Sequence, residues 1–172
     1  MKKLLTLSYH IYTTKGLILS ERPVREADRV YTIMTRDLGL VRATALGVRK
    51  ESSKLRGNIE PFSLSSISLV RGKEHWRATS AEFIQAVTPL PVIARPLALL
   101  EKLIQGEVPH PELFDAIESA VTSTETNNEM FEINLVSKTL FHLGYLKEKD
   151  LTLDKESLVK AINEGIQASH LT

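Results

Sequence analysis

The chain has 172 residues, of which 25% are charged and 42% apolar, and no cysteine. That suits one large folded, water-soluble domain or two small ones, and it excludes a disulfide framework and a thiolate metal site. The formal net charge of +1 is unevenly spread: residues 1–86 carry +7 and residues 87–172 carry −6. A basic half joined to an acidic half points to a polyanion at one end.

No apolar run approaches bilayer length. The run that opens the chain breaks at Thr6, Ser8 and His10, too early for a signal-peptide core. The expected address is the cytoplasm.

Residues 4–12 and 17–20 are rich in β-formers, with the permissive Gly16 between them. Residues 28–35 alternate as a strand should: Val30, Thr32 and Met34 face one way, Tyr31, Ile33 and Thr35 the other. Arg36-Asp37-Leu38-Gly39 reads as a tight turn, with Gly39 free to take positive φ. Residues 40–48 return as the partner of that hairpin. A basic segment follows, residues 47–57, with Arg49, Lys50, Lys54 and Arg56 between Gly47 and Gly57. Residues 62–70 alternate again, Arg71-Gly72-Lys73 turns, and residues 76–84 form a last strand.

Five short strands at regular spacing predict a closed or nearly closed β-barrel. A short helix over residues 54–58, between the third and fourth strands, would make it an oligonucleotide-binding (OB) fold. A small barrel of the SH3 kind is the competing topology. From Pro89 the punctuation changes. Pro89, Pro91 and Pro96 mark residues 87–96 as a linker, and residues 97–172 read as an all-helical domain. Its helices carry Leu97, Leu100 and Ile104; then Leu113, Phe114 and Ile117 behind a first-turn Pro111; then residues 130–141, capped at Asn127 or Asn128 and stopped at Gly144. The last places Leu158, Ile162 and Ile166 on one stripe, with Asp154 as cap. The third is apolar on more than one face, as the central helix of a bundle is. The fold class is α+β: a barrel over residues 1–86, a linker, and helices.

Catalytic constellations are scarce. The five histidines are scattered without metal-ligand spacing, and no nucleophile elbow or Walker loop is present. The barrel's carboxylates form no readable metal set, which argues against a nuclease. Asp28 beside Arg29 reads as an ion pair at a strand start. The expectation is no catalytic residue, no metal and no cofactor.

Nucleic-acid binding fares better. Arg42, Arg49, Lys50, Lys54, Arg56, Arg71, Lys73 and Arg77 fall on two strands and the connections around them. Cations so placed would grip phosphates without reading sequence. The plain alternative for residues 47–57 is a solvated loop. Tyr31, Phe62, Trp76 and Phe83 are the aromatic candidates for base stacking, although most lie in phase with apolar neighbours, and Trp76 reads as core.

These residues resemble the RecO family of bacterial recombination mediators. The likeness runs through Thr14-Lys15-Gly16-Leu17-Ile18-Leu19, Glu26-Ala27-Asp28-Arg29-Val30, Thr35-Arg36-Asp37-Leu38-Gly39, Ala45-Leu46-Gly47-Val48-Arg49-Lys50, Ser53-Lys54-Leu55-Arg56-Gly57, Glu60-Pro61-Phe62 and Trp76 through Ser80-Ala81-Glu82. The helical half matches more loosely, mainly through Phe131-Glu132 to Phe141-His142-Leu143-Gly144-Tyr145-Leu146. The resemblance implies an N-terminal OB domain, binding of single- and double-stranded DNA, strand annealing and no enzymatic activity. It also implies work with RecR, contact with the acidic tail of single-strand-binding protein, indirect help to the RecA filament, and a nucleoid-associated place in the cytoplasm. Two departures matter. Many relatives carry a cysteine zinc finger, and this chain has none; it is also shorter, so a reduced helical domain is expected. An acidic tail would need local cations such as Lys138 or Lys147. The competing reading is a protein-interaction adaptor whose barrel binds no DNA.

Overall fold

The computed structural model describes residues 10–87, 90–123 and 129–169. Five strands come first: β1 (Ile11–Pro23), β2 (Arg29–Thr35), β3 (Gly39–Ala45), β4 (Ser63–Arg71) and β5 (Trp76–Ala86). They close into a barrel in the order β1-β2-β3-β5-β4. All neighbours are antiparallel except β3 and β5, which run parallel and pair only across Ala43–Trp76 and Thr44–Arg77. This is the OB arrangement, and the fold is α+β. Alternation fills the interior: Ile18, Tyr31, Ile33, Val41, Ala43, Ile67, Leu69, Trp76 and Ala78 form one buried cluster.

The outer face of the same strands is not uniformly polar. Leu17, Leu19, Met34 and Leu64 point out of the barrel and are buried with Ile93, Leu97, Leu100, Phe114 and Ile117 of the helices. At about 1.5–3 kcal/mol for each fully buried large side chain, this seam fixes the helices on one flank of the barrel. The helices are α1 (Leu90–Leu103), α2 (Pro111–Thr122), α3 (Glu129–His142) and α4 (Lys155–Ala168). Helix α3 is central: Leu135 belongs to the seam cluster, Leu140 to a second cluster with Leu146, Leu158 and Ile162. Pro111 opens α2, and Asp154 caps α4 by accepting from the N–H groups of Glu156 (3.1 Å) and Ser157 (3.2 Å). The cap expected at Asn127 or Asn128 lies outside the described residues.

Three local expectations are corrected. Gly16 does not interrupt a strand: β1 runs through it, because a Cβ there would lie 2.6 Å from Ile33 Cγ2 and 2.9 Å from Ile67 Cδ1. Glycine is needed for close packing, not for a turn. Residues 4–9 of the expected first strand lie outside the described residues. Residues 90–96, expected within a linker, are the start of α1, with Pro96 inside the helix. Pro91 sits in the first turn, where its missing N–H costs nothing. A proline in a helix interior costs about 3 kcal/mol, and the burial of Ile93, Leu97 and Leu100 at 0–1% exposure offsets it. Finally, residues 54–58 form no helix. The connection from β3 to β4 is a chain of tight turns closed by Lys50 N–H to Gly47 O, Ser53 N–H to Lys50 O, Arg56 N–H to Ser53 O and Asn58 N–H to Leu55 O.

Candidate nucleic-acid interface

The β3–β4 connection folds over one end of the barrel. Val48, Leu55 and Ile59 drop into the interior and are 0–5% exposed, so the intervening cations are turned outward. Arg49, Lys50, Lys54 and Arg56 are all exposed. Gly47 and Gly57, at the ends of the cationic run, take φ of +61° and +76°. Asp28 anchors the start of the run by accepting from Gly47 N–H (2.7 Å), while Arg49 N–H reaches Ala27 O (3.2 Å). The expected ion pair of Asp28 with Arg29 is therefore not made. Asp28 holds the loop, and Arg29 donates to the Asp28 carbonyl instead (3.1 Å).

Docking the β1–β2 connection against the β3–β4 connection gathers more charge than the sequence reading named. Arg25 and Lys50 line a shared rim depression of about 450 Å³ with Gly47, Ser52 and Ser53. Arg22, at the end of β1 and level with Val30 of β2, lines a separate depression with Arg42. Neither Arg22 nor Arg25 stood out in the sequence, because Glu21, Glu26 and Asp28 mask them as a mixed-charge loop. The signal that would have found them is register, which a sequence does not print.

Arg42 and Arg77 project from the outer face of the barrel. Thr44 is level with Arg77 in the parallel pair, and Arg42 is two residues earlier on the same face of β3. Arg42 lies where the helical cover ends. It lines a groove of about 870 Å³ with Leu40, His75, Trp76, Glu101 and Lys102, and an adjoining one of about 300 Å³ with Ser20, Arg22 and Thr32. Lys73 sits in the exposed β4–β5 turn beside this groove. The structure thus collects Arg49, Lys50, Lys54 and Arg56 at one end of the barrel, with Arg77 and Arg42 leading along its outer face toward Lys73.

Arg71 is different. Its guanidinium pairs with Glu107 and lies 4.8 Å from the centroid of the Trp76 ring. Lys15 pairs with Glu118 (2.6 Å), and Arg36 grips Asp115 with two bonds of 2.7 and 2.9 Å. The hydrogen bond from Arg36, and then its charge, holds the Asp115 carboxyl below the usual carboxylate range. The carboxylates of these three pairs, Glu107, Glu118 and Asp115, lie in the acidic half. Among the described residues, none of the other seven candidate cations is in an ion pair.

The aromatic candidates divide sharply. Tyr31 and Trp76 are 2% and 6% exposed, in the barrel core. Burial, then a hydrogen bond with Glu21, pushes the Tyr31 phenol up, so it stays neutral. Phe62 is half-buried against the helical seam, at φ +59°, held there by its N–H to Ile18 O (2.8 Å) and by Val87 N–H to its carbonyl (2.9 Å). Phe83 is 43% exposed. Lys138 and Lys147 are exposed on the helical half, away from the barrel cations. Among the described residues no cluster of three potential metal ligands occurs, and no helix is long and apolar enough to cross a membrane.

Comparison with known proteins places this barrel. Residues 9–87 match the family described as recombination protein O, N-terminal. The DNA repair protein RecO of Dehalococcoides mccartyi strain BAV1 is 31% identical over 152 residues, covering 81% of this chain and 58% of the relative. That of Synechococcus sp. strain JA-2-3B'a(2-13) is 40% identical over 81 residues, covering 47% and 28%. That of Cyanothece sp. strain PCC 7425 is 29% identical over 139 residues, covering 77% and 47%. The matches therefore span between about a quarter and three fifths of those relatives' lengths. On the barrel's topology and on these matches, residues 9–87 are similar to the RecO N-terminal domain, and the likeness to RecO proteins extends over about four fifths of the chain.

Proposed function

We propose that this chain is a DNA-binding recombination mediator of DNA repair, one that binds single and double strands and anneals complementary ones. The observation that carries the reading is the set of seven exposed cations outside any described ion pair: Arg42, Arg49, Lys50, Lys54, Arg56, Lys73 and Arg77. They lie on one end and the outer face of an OB barrel, a fold whose strand face and loops suit single strands. Arg71 belongs to a packing seam, so its part in DNA contact is the weakest of the eight. The matched relatives are DNA repair proteins, which agrees with this reading.

The partners that follow are RecR, the acidic C-terminal tail of single-strand-binding protein and, through them, the RecA filament. The working place is the nucleoid within the cytoplasm, and no catalytic residue or cofactor is invoked. Binding would rest on phosphate contacts and would be steeply salt-dependent. Fluorescence anisotropy with labelled single-stranded DNA at low salt tests the first step, and annealing of complementary strands with and without single-strand-binding protein tests the mediator role. Absence of binding at low salt would overturn the reading in favour of an adaptor that meets only proteins.

A further inference from the structure

The barrel closes unevenly. β3 and β5 pair only at the start of β5, so among the strands the far half of β5 pairs with β4 alone. Residues 82–86 of that half are all exposed. The end of the β3–β4 connection meets that half of β5, and Asn58 fastens it there. Asn58 Nδ2 donates to Lys54 O (3.0 Å), and its Oδ1 accepts from Phe83 N–H (3.3 Å). The Asn58 carbonyl accepts from the hydroxyl of Ser65 (2.8 Å), the residue directly across from Phe83 on β4. Asn58 thus ties the cationic turn carrying Lys54 and Arg56 to the strand carrying Phe83.

An exposed phenylalanine is common, and alone it says little. Here it has company. The turn fastened to it presents two exposed cations that no described carboxylate neutralises. Gly57, between Arg56 and Asn58, leaves open space where a Cβ would stand. Phosphate-binding cations beside an aromatic face are the two parts of a single-strand platform: the cations follow the backbone, and a base stacks on the ring. A duplex offers phosphates but keeps its bases stacked on one another, so it uses only the first part. A peptide ligand would use the apolar ring but has no regular anion for Lys54 and Arg56.

We infer that Phe83 is a base-stacking residue for single-stranded nucleic acid, held beside the phosphate-binding turn of Lys54 and Arg56 by Asn58. This rests on the proposed DNA-binding function and deepens it. The platform lies on β5 and the β3–β4 connection, apart from the groove beside Arg42 and α1.

The test compares three fluorescent probes of equal length at low salt: oligo-dT, an abasic strand of the same backbone, and a duplex. Phe83→Ala is expected to weaken oligo-dT binding about fivefold or more, from the usual worth of one stacked base. Binding of the abasic strand and the duplex should stay unchanged. Phe83→Trp should retain oligo-dT binding, and its added emission should be quenched by oligo-dT but not by the abasic strand. Loss of affinity for all three probes alike in Phe83→Ala would show a structural role and overturn the inference. So would unchanged oligo-dT binding, including the case where only a protein partner is lost. Failure of the parent chain to bind any probe would instead overturn the proposed function, and this inference with it.

Discussion

The seven uncommitted cations make a quantitative claim about salt. Each phosphate neutralised on a single strand contributes about −0.7 to the slope of log affinity against log salt. Seven simultaneous contacts set a ceiling near −5, and the four at the end of the barrel, Arg49, Lys50, Lys54 and Arg56, account for about −3 of it. Replacing those four with alanine should flatten the slope by about 3 and weaken low-salt binding steeply. Their side chains are exposed, so the thermal melt should hardly move. Arg71→Ala is the informative control. Its charge is already met by Glu107 and the Trp76 ring, so the slope should change by less than about one contact's worth. Anisotropy titrations at several potassium chloride concentrations read all of this directly. A quadruple variant that kept the parental slope would refute the assignment, and so would an Arg71→Ala variant that lost as much slope as the other four combined.

Three further outcomes follow from the fold. Gly39→Ala should destabilise far more than Gly57→Ala in urea titrations. Both glycines have positive φ, but a Cβ at Gly39 would lie 2.5 Å from Val108 O, whereas one at Gly57 meets nothing within 4 Å. The left-handed conformation costs alanine about 1–2 kcal/mol in each, and overpacking adds about 1–3 kcal/mol at Gly39 only. Trp76→Phe should fall within about 1 kcal/mol of the parent by chemical denaturation, since the lost volume is offset by removing a buried indole N–H that meets no hydrogen-bond partner among the described residues. Asp154 has its pKa lowered from 3.8, first by the hydrogen bonds from Ser157. Its capping contribution is therefore present above that value and lost as pH falls through the lower folded pKa. Asp154→Asn should keep the cap and remove that share of the acid dependence of α4, seen by circular dichroism.

Period-2 alternation made β2 to β5 and the barrel interior legible, and helical periodicity did the same for α2 to α4. Turn glycines marked Gly39 and Gly144 correctly because their conformation is a local property. The misreadings at Gly16 and Pro96 share one cause, which is that a distant partner decided the outcome. Gly16 looks like a break until Ile33 and Ile67 are seen pressing on it. Pro96 looks like a stop until the burial of Ile93 and Leu97 is counted. Residues 54–58 differ, for there the deciding closures are local, between residues three apart, at Ser53–Arg56 and Leu55–Asn58. At the candidate site the cations were visible one by one. Their sorting into free and committed was not, since Arg71 and Glu107 stand 36 residues apart.

The charge asymmetry itself changes meaning once the pairs are known. Lys15–Glu118, Arg36–Asp115 and Arg71–Glu107 each join the basic half to the acidic half. Setting those three pairs aside reduces the balances from +7 and −6 to +4 and −3. Part of the asymmetry is therefore a docking seam, and only the remainder is offered to a polyanion. Both parts are exposed enough for salt to screen them, so a salt series could in principle open the seam while it releases DNA. The apolar contacts decide against that. Leu17, Met34 and Leu64 are buried with Leu97 and Phe114 at 1–2% exposure, and high salt does not weaken such burial. At a salt concentration that abolishes DNA binding the barrel and helices should remain joined, with an unchanged far-ultraviolet spectrum, so the measured slope counts phosphates and not unfolding.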